Sequence, residues 1–153
     1  MKIRLLLAAI LLLLFPLSCV SHKPAATPSE LITPNKEQVW QLVAIQGKAL
    51  SAGKSNEVTL ILYPDGEALH GLIACNRYFA DYSLRLDENT PQGTRYQLKI
   101  TDLGGSDVQC PEADMSLQER YLNFLSKADA CLLTAQSLTL FRGGRETLKF
   151  ELQ

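Results

Sequence analysis

The chain has 153 residues, with 15 lysines and arginines against 16 aspartates and glutamates, which suits one small domain of near-neutral charge. This balance argues against a nucleic-acid-binding protein, because such proteins carry a clear basic excess. The chain has two histidines, His22 and His70, which is too few for a histidine-rich metal site.

Residues 1–18 are predicted to be an export signal. Lys2 and Arg4 form a charged start, and an apolar run of eleven residues extends from Leu5 to Phe15. A helix of that length reaches about 17 Å, whereas a spanning helix must cross roughly 30 Å of hydrocarbon. The segment therefore fits a signal peptide better than a membrane span.

Cys19 follows this run directly, with the small Ser18 before it. The arrangement resembles the lipobox of bacterial lipoproteins, in which the cysteine is acylated with fatty acids such as palmitate and becomes the new N-terminus. Val20 after the cysteine favours the outer membrane, with the domain facing the periplasm. An ordinary secretory signal, in which Cys19 has no special role, is the alternative. We expect a lipid-anchored protein of the bacterial cell envelope.

Residues 19–36 are predicted to be a tether that carries the lipid. The stretch after Cys19 holds three of the seven prolines and few large apolar side chains, a composition typical of extended linkers. His22 belongs to this tether. The globular domain is expected to span residues 37–153.

From Val39 onward, apolar residues recur with a period of two, which predicts half-buried strands. The predicted strands are Val39 to Ile45, Val58 to Leu62, Tyr82 to Leu86, Tyr96 to Ile100, Leu138 to Leu140 and Leu148 to Leu152. Turn residues at 64–66, 89–93 and 143–144 predict hairpins, and hairpins make an antiparallel sheet. The stretch 68–79 fits either one bent strand or two.

One segment has a helical period instead. Pro111 and Glu112 are typical of the first turn of a helix, and apolar residues then recur at helical spacing, at Leu117, Tyr121, Phe124, Leu125 and Ala128. A helix of this kind must bury its apolar stripe against the sheet. Strands, one amphipathic helix and a closing hairpin predict an α+β domain with a curled sheet.

Several stretches resemble the META domain, the family of HslJ-like, heat-inducible bacterial lipoproteins. They are Trp40 to Leu42, Gly71 to Tyr78 with Tyr82 after it, Cys110 before the helix, Leu138 to Leu140, and Leu148 to Phe150. Ala74 stands where that family commonly has glycine. The resemblance implies a curled, half-open antiparallel β-barrel with one amphipathic helix packed on it, in an envelope protein linked to stress tolerance.

The cysteines carry most of the chemistry. If Cys19 is lipidated, three cysteines remain, and an oxidising compartment then permits one intramolecular bridge. The resemblance implies that Cys75 pairs with Cys110. Cys131, in an apolar run, is expected to be a small buried hydrophobic residue. The alternative makes Cys75 a nucleophile, but His70, five residues away, falls on the opposite face of a regular strand.

Asn76, Arg77, Tyr78 and Tyr82 are the candidate binding residues, because polar side chains stand beside aromatic ones there. The alternative is that Asn76 serves a turn and the two tyrosines, which share a face, pack in the core. No acid and base pair has the spacing that catalysis needs, and no metal or cofactor motif is present.

We therefore expect a non-enzymatic, membrane-anchored envelope lipoprotein that binds a protein or an apolar ligand in envelope stress tolerance. One alternative is an assembly or inhibitor module acting on a secretion or cell-wall enzyme. Another, less favoured, is a thiol or hydrolytic enzyme, which needs a cleft that gathers His70 with Cys75 or with two carboxylates.

Overall fold

The computed structural model describes residues 38–51, 53, 58–63 and 67–153. The predicted export signal, Cys19, the tether and the turn at 64–66 lie outside the described residues. No helix in the described residues combines the length and the apolar character needed to cross a membrane.

Nine strands and one helix make up the described fold. In chain order they are β1 Gln38–Ile45, β2 Lys48–Ala49, β3 Thr59–Leu62, β4 Ala68–Ile73, β5 Asn76–Thr90, β6 Gly93–Gly105, α1 Glu112–Leu125, β7 Ala130–Leu133, β8 Ser137–Arg142 and β9 Arg145–Leu152.

Eight of these strands close into an antiparallel barrel. From β3 to β9 each strand pairs with the next, and β1 pairs with both β3 and β9, while β2 pairs only with the end of β1. Complete closure leaves no free edge in the ring. The α+β barrel with one helix, expected from the sequence, is confirmed. The barrel is closed, however, and not half-open as expected, because β1 pairs with β9 from Trp40 with Leu152 to Ile45 with Leu148.

The predicted strands are all present, and the stretch 68–79 forms two strands, β4 and β5. A tight turn at Ala74 and Cys75 separates them. β7 was not predicted as a strand. It is four residues long and its sequence, ACLL, is apolar throughout, so it shows no alternation.

The helix covers one end of the barrel. Leu117, Tyr121 and Leu125 form its buried stripe, and the ring of Tyr121 packs edge-on against Tyr78 at 5.4 Å and Phe150 at 6.3 Å. The first helical position is Glu112, with proline as the N-cap residue before it, so the predicted start is displaced by one residue. Because α1 follows β6, it covers the end of the barrel where β4 ends and β5 begins.

Candidate functional site

The four candidate binding residues lie on β5, but the structure divides them between two places. Asn76, Tyr78 and Tyr82 point inward and are buried, whereas Arg77 is exposed. Tyr82 lies further along the strand, where its hydroxyl donates to the carbonyl of Tyr63 at 2.9 Å. The other three line one cleft at the helix end of the barrel. The shared face predicted for the two tyrosines is confirmed.

Asn76 holds the loop that connects β6 to α1. Its side-chain nitrogen donates to the Val108 carbonyl at 2.8 Å and to Gln118 Oε1 at 2.9 Å. Its side-chain oxygen accepts from Ser106 Oγ and from the Val108 amide, both at 2.7 Å. An asparagine side chain offers two donors and two acceptor sites, so Asn76, only 1% exposed, uses all four. Its role is to fix a loop more than 30 residues away, not only to serve the β4–β5 turn.

A disulfide fixes the same loop a second time. Cys75, in the turn between β4 and β5, is bonded to Cys110, just before α1, and their Cα atoms are 5.9 Å apart, within the usual range for a disulfide. Ser106 and Arg77 add a reciprocal pair, since the Ser106 amide donates to the Arg77 carbonyl at 2.9 Å and the Arg77 amide donates to Ser106 Oγ at 3.0 Å. The loop is therefore held on both sides of Val108.

The turn that carries Cys75 is backbone-strained. Ala74 has φ of 54°, in the left-handed region that costs a residue with a Cβ roughly 1–2 kcal/mol. This is the position at which the resembling family commonly has glycine. The turn keeps its geometry because β4 and β5 are paired on both sides of it, from Ile73 with Asn76 onward.

The cleft lies between this loop, the ends of β5 and β6, and α1, and it has a volume of about 260 Å³. Its lining combines apolar side chains with a polar rim: Ile73, Asn76, Arg77, Tyr78, Leu103, Gly104, Gly105, Ser106, Gln118 and Leu122. Of the described residues in that lining, Arg77 alone carries a charged side chain. Its guanidinium has no hydrogen bond or ion pair with another residue in the described part of the chain.

Behind the cleft, two tyrosine hydroxyls form a buried chain. Tyr78 donates to the Thr59 carbonyl at 2.7 Å, so Tyr121 must donate to Tyr78. Burial raises the pKa of Tyr78, and the neighbouring Tyr121 raises it further. Burial also raises the pKa of Tyr121. Both phenols are therefore neutral at physiological pH, and their hydrogen bonds hold the two rings in place behind the cleft.

Gly71 makes room for the Tyr78 ring. It lies opposite Tyr78 in the pairing of β4 with β5, and a Cβ at Gly71 would lie 2.0 Å from the Thr59 carbonyl oxygen and 2.6 Å from the Tyr78 hydroxyl. No side chain fits there without a shift of backbone, which explains why glycine occupies the position.

A second cavity lies inside the barrel. Its lining is apolar apart from the Tyr82 hydroxyl, and it includes Leu84, Leu98 and Cys131, but its volume is only about 20 Å³, roughly the room for one water molecule. Cys131 is a free, buried thiol, as predicted, and burial raises its pKa to about 12.

The residues of the alternative thiol or hydrolytic site, Cys75 and His70, make other contacts in the structure. Cys75 is in the disulfide, and the His70 ring packs 5.1 Å from the ring of Tyr63. His70 is paired with Ile61 and Phe79 on neighbouring strands. No cluster of three histidine, cysteine, aspartate or glutamate side chains with metal-binding geometry occurs in residues 38–51, 53, 58–63 and 67–153.

Fold and site together define a class of protein: a small closed antiparallel barrel that a helix covers at one end. A buried asparagine and a disulfide hold the loop between β6 and α1. The family model of the META domain matches residues 33–153. The chain therefore belongs to the META domain family, as the resemblance indicated.

Two solved structures are similar in fold. One is the NMR structure of a protein from Burkholderia xenovorans, with a TM-score of 0.57 and 22% identity over 91% of this chain and 97% of that chain. The other is also an NMR structure, with a TM-score of 0.53 and 20% identity over 83% of this chain and 95% of that chain. At these identities the likeness concerns the fold alone. The search of curated proteins found no match.

Two polar residues of the site, Ser106 and Gln118, were not predicted as site residues. They contact Asn76 across 30 and 42 residues of chain. Contacts between residues so far apart have no signal in local spacing, so the sequence did not predict them.

Proposed function

We propose that the chain is a non-enzymatic lipoprotein of the bacterial envelope. In this proposal Cys19 carries the lipid that anchors it to the outer membrane, and the META domain faces the periplasm and supports tolerance of envelope stress by binding. The predicted signal, Cys19 and the tether support the anchor. The Cys75–Cys110 disulfide supports an oxidising compartment, where such bonds persist.

The observation that carries the binding role is the cleft at the helix end. It places apolar side chains beside the guanidinium of Arg77, which has no partner among the described residues. A concave site with an apolar floor and few polar groups is typical of ligand sites. The barrel interior is a poorer candidate because it holds about 20 Å³. An apolar ligand placed there must first displace packed side chains.

A second candidate, an assembly or inhibitor module, is favoured by one observation. Leu72 and Phe79 are 47% and 59% exposed on neighbouring strands, since Leu72 is paired with Arg77 and Phe79 with His70. Exposed apolar neighbours of this kind are typical of protein contacts. In this form the partner is an envelope protein, such as a secretion or cell-wall enzyme, and the contact lies on the outer face of β4 and β5.

The experiment compares three forms of the protein in cells that lack it: wild type, Cys19→Ser, and Cys131→Ala as a control that removes a cysteine away from the predicted anchor without burying a polar group. Membranes are fractionated, and survival is scored after heat and detergent stress. We expect wild type and Cys131→Ala in the outer-membrane fraction with full survival, and Cys19→Ser released and without protection. Full protection by the released form would contradict the proposal.

A further inference from the structure

We propose that the helix-end cleft binds a single carboxylate group attached to a short, branched apolar body. The inference deepens the proposed function and depends on it, because it names the chemistry of the ligand at the same cleft. It rests on which hydrogen-bonding groups of the lining are already used and which remain.

The side-chain acceptors of the cleft have partners. Asn76 uses both donors and both acceptor sites within the protein. The Ser106 hydroxyl donates to Asn76 and accepts from the Arg77 amide, and the Tyr78 hydroxyl accepts from Tyr121. A ligand that only donates hydrogen bonds therefore finds little to bind.

The remaining polar groups are donors. The Arg77 guanidinium carries five N–H groups and has no partner in the described part of the chain. Gln118 uses its side-chain oxygen to accept from Asn76, so its amide nitrogen, which is a donor, is left over. Among the residues that the structure describes, no acidic side chain lines the cleft, and an arginine presents its donors in the geometry that fits a carboxylate.

The charge and size of the cleft limit the anion further. One guanidinium balances one negative charge, which favours a monoanion over a doubly charged phosphate. Ile73, Leu103 and Leu122, with the ring of Tyr78, supply the apolar part of the lining. The volume of about 260 Å³ lies just below the range of roughly 300–1,000 Å³ that is typical of pockets for drug-sized ligands, so it suits a small ligand.

The same chemistry has two sources: a free short-chain acid, or the C-terminal residue of a polypeptide. Two probes separate them, 4-methylpentanoate for the free acid and N-acetyl-leucine for the chain terminus. Each is paired with its neutral amide, which has the same shape without the charge. Inorganic phosphate is the third anion.

The test uses the full chain with Cys19→Ser, labelled with ¹⁵N, so that no acyl group competes for the cleft. The signals followed are the backbone amides of Gly104 and Gly105 and the side-chain amide of Gln118, all of which line the cleft. A ligand of this size is expected to bind with a dissociation constant of about 1 mM. The neutral amide is expected to bind at least about tenfold more weakly.

Arg77→Gln is expected to weaken binding of the carboxylate at least about tenfold, without loss of stability, because its side chain has no partner in the described residues. The matched control is Arg85→Gln, which removes the same charge from the same strand at an exposed position and is expected to change affinity less than about twofold. Binding of one acid alone shows whether the ligand is a free acid or a chain terminus. Binding of both acids supports recognition of a carboxylate on an apolar body.

Three results would overturn the inference: equal binding of acid and amide, tighter binding of phosphate than of either acid, or no shift of the cleft signals with either acid. Failure here is distinguishable from failure of the proposed function. The survival and fractionation results for Cys19→Ser do not depend on which ligand the cleft accepts.

Discussion

Asn76 offers the sharpest test of how the loop beside the cleft is held. In Asn76→Asp the side chain keeps its shape, but the group that donates to Val108 and Gln118 at 2.8 and 2.9 Å becomes an oxygen facing two oxygens. The side chain of Gln118 is able to turn its amide, whereas the Val108 carbonyl is fixed in the backbone.

The change in the free energy of unfolding follows from the hydrogen bonds that Asn76→Asp loses and those that it keeps. Two hydrogen bonds are lost in a residue that is 1% exposed, and an unpartnered charge is buried, which together cost several kcal/mol. The two bonds that the side-chain oxygen accepts from Ser106 and Val108 become charge-assisted and offset about 1–2 kcal/mol. We expect a net loss of about 2–4 kcal/mol in the free energy of unfolding at pH 7.

The loss of stability also depends on pH, and its direction follows from the pKa of the introduced carboxyl. Burial and the facing oxygens raise the pKa of the introduced carboxyl above its unfolded value of about 4, so the folded state holds its proton more tightly. The protonated form donates again, so the deficit is smallest at about pH 4 and below, grows as the pH rises from there to the raised pKa of the folded state, and is constant above it.

The assay is denaturation in urea between pH 4 and pH 8, followed by circular dichroism, with wild type subtracted. Asn123→Asp is the matched control, since Asn123 is exposed on α1 and its side-chain oxygen accepts from the Lys127 ammonium, a bond that aspartate keeps. We expect a change within about 0.5 kcal/mol. An Asn76→Asp protein as stable as wild type at pH 7 would refute the assigned role of Asn76.

Four further predictions concern stability and reactivity. Replacing Cys75 and Cys110 by serine removes a link across 35 residues and is expected to cost about 4 kcal/mol; reductant must lower the stability of wild type by a similar amount and leave the double variant unchanged. Gly71→Ala forces the close contacts described above, and a loss of about 2–4 kcal/mol is expected in thermal unfolding, so an unchanged melting temperature would contradict the packing. Ala74→Gly relieves the left-handed strain at a cost in chain entropy, and it is expected to change stability by between 0 and about +1 kcal/mol, whereas a clear loss would argue against the turn. Burial raises the pKa of the Cys131 thiol to about 12, so iodoacetamide at pH 8 should label it only in denaturant; labelling of the folded protein would show that the thiol is accessible.

Much of the barrel was predictable because its strands alternate. Each strand with polar outward positions, such as β1 and β9, shows the period of two that its buried face requires. β7 was not predicted, because four apolar residues in a row show no period. In the structure its burial does alternate, since Cys131 and Leu133 are buried and Ala130 and Leu132 are half-buried. Closure was not predictable, because the pairing of β1 with β9 joins the two ends of the domain and has no local signal.

The site was predictable only in part. The run from Asn76 to Tyr78 marked the cleft because polar residues stand beside aromatic ones there, and the structure brings these three together. Tyr82 has the same pattern but lies at another level of the barrel. Its position depends on the length of β5, which exceeds the predicted strand and is set by pairing with β6. The partners Ser106 and Gln118 depend on long-range contacts, which leave no trace in spacing.

The central claim is that a lipid anchor at Cys19 holds a binding domain in the periplasm. It is tested most directly by intact-mass spectrometry of the protein purified from envelopes. The account predicts a mature chain that begins at Cys19, carries added fatty-acyl groups at that residue, and contains one disulfide. A chain with an unmodified Cys19, or one that begins at another residue, would contradict it.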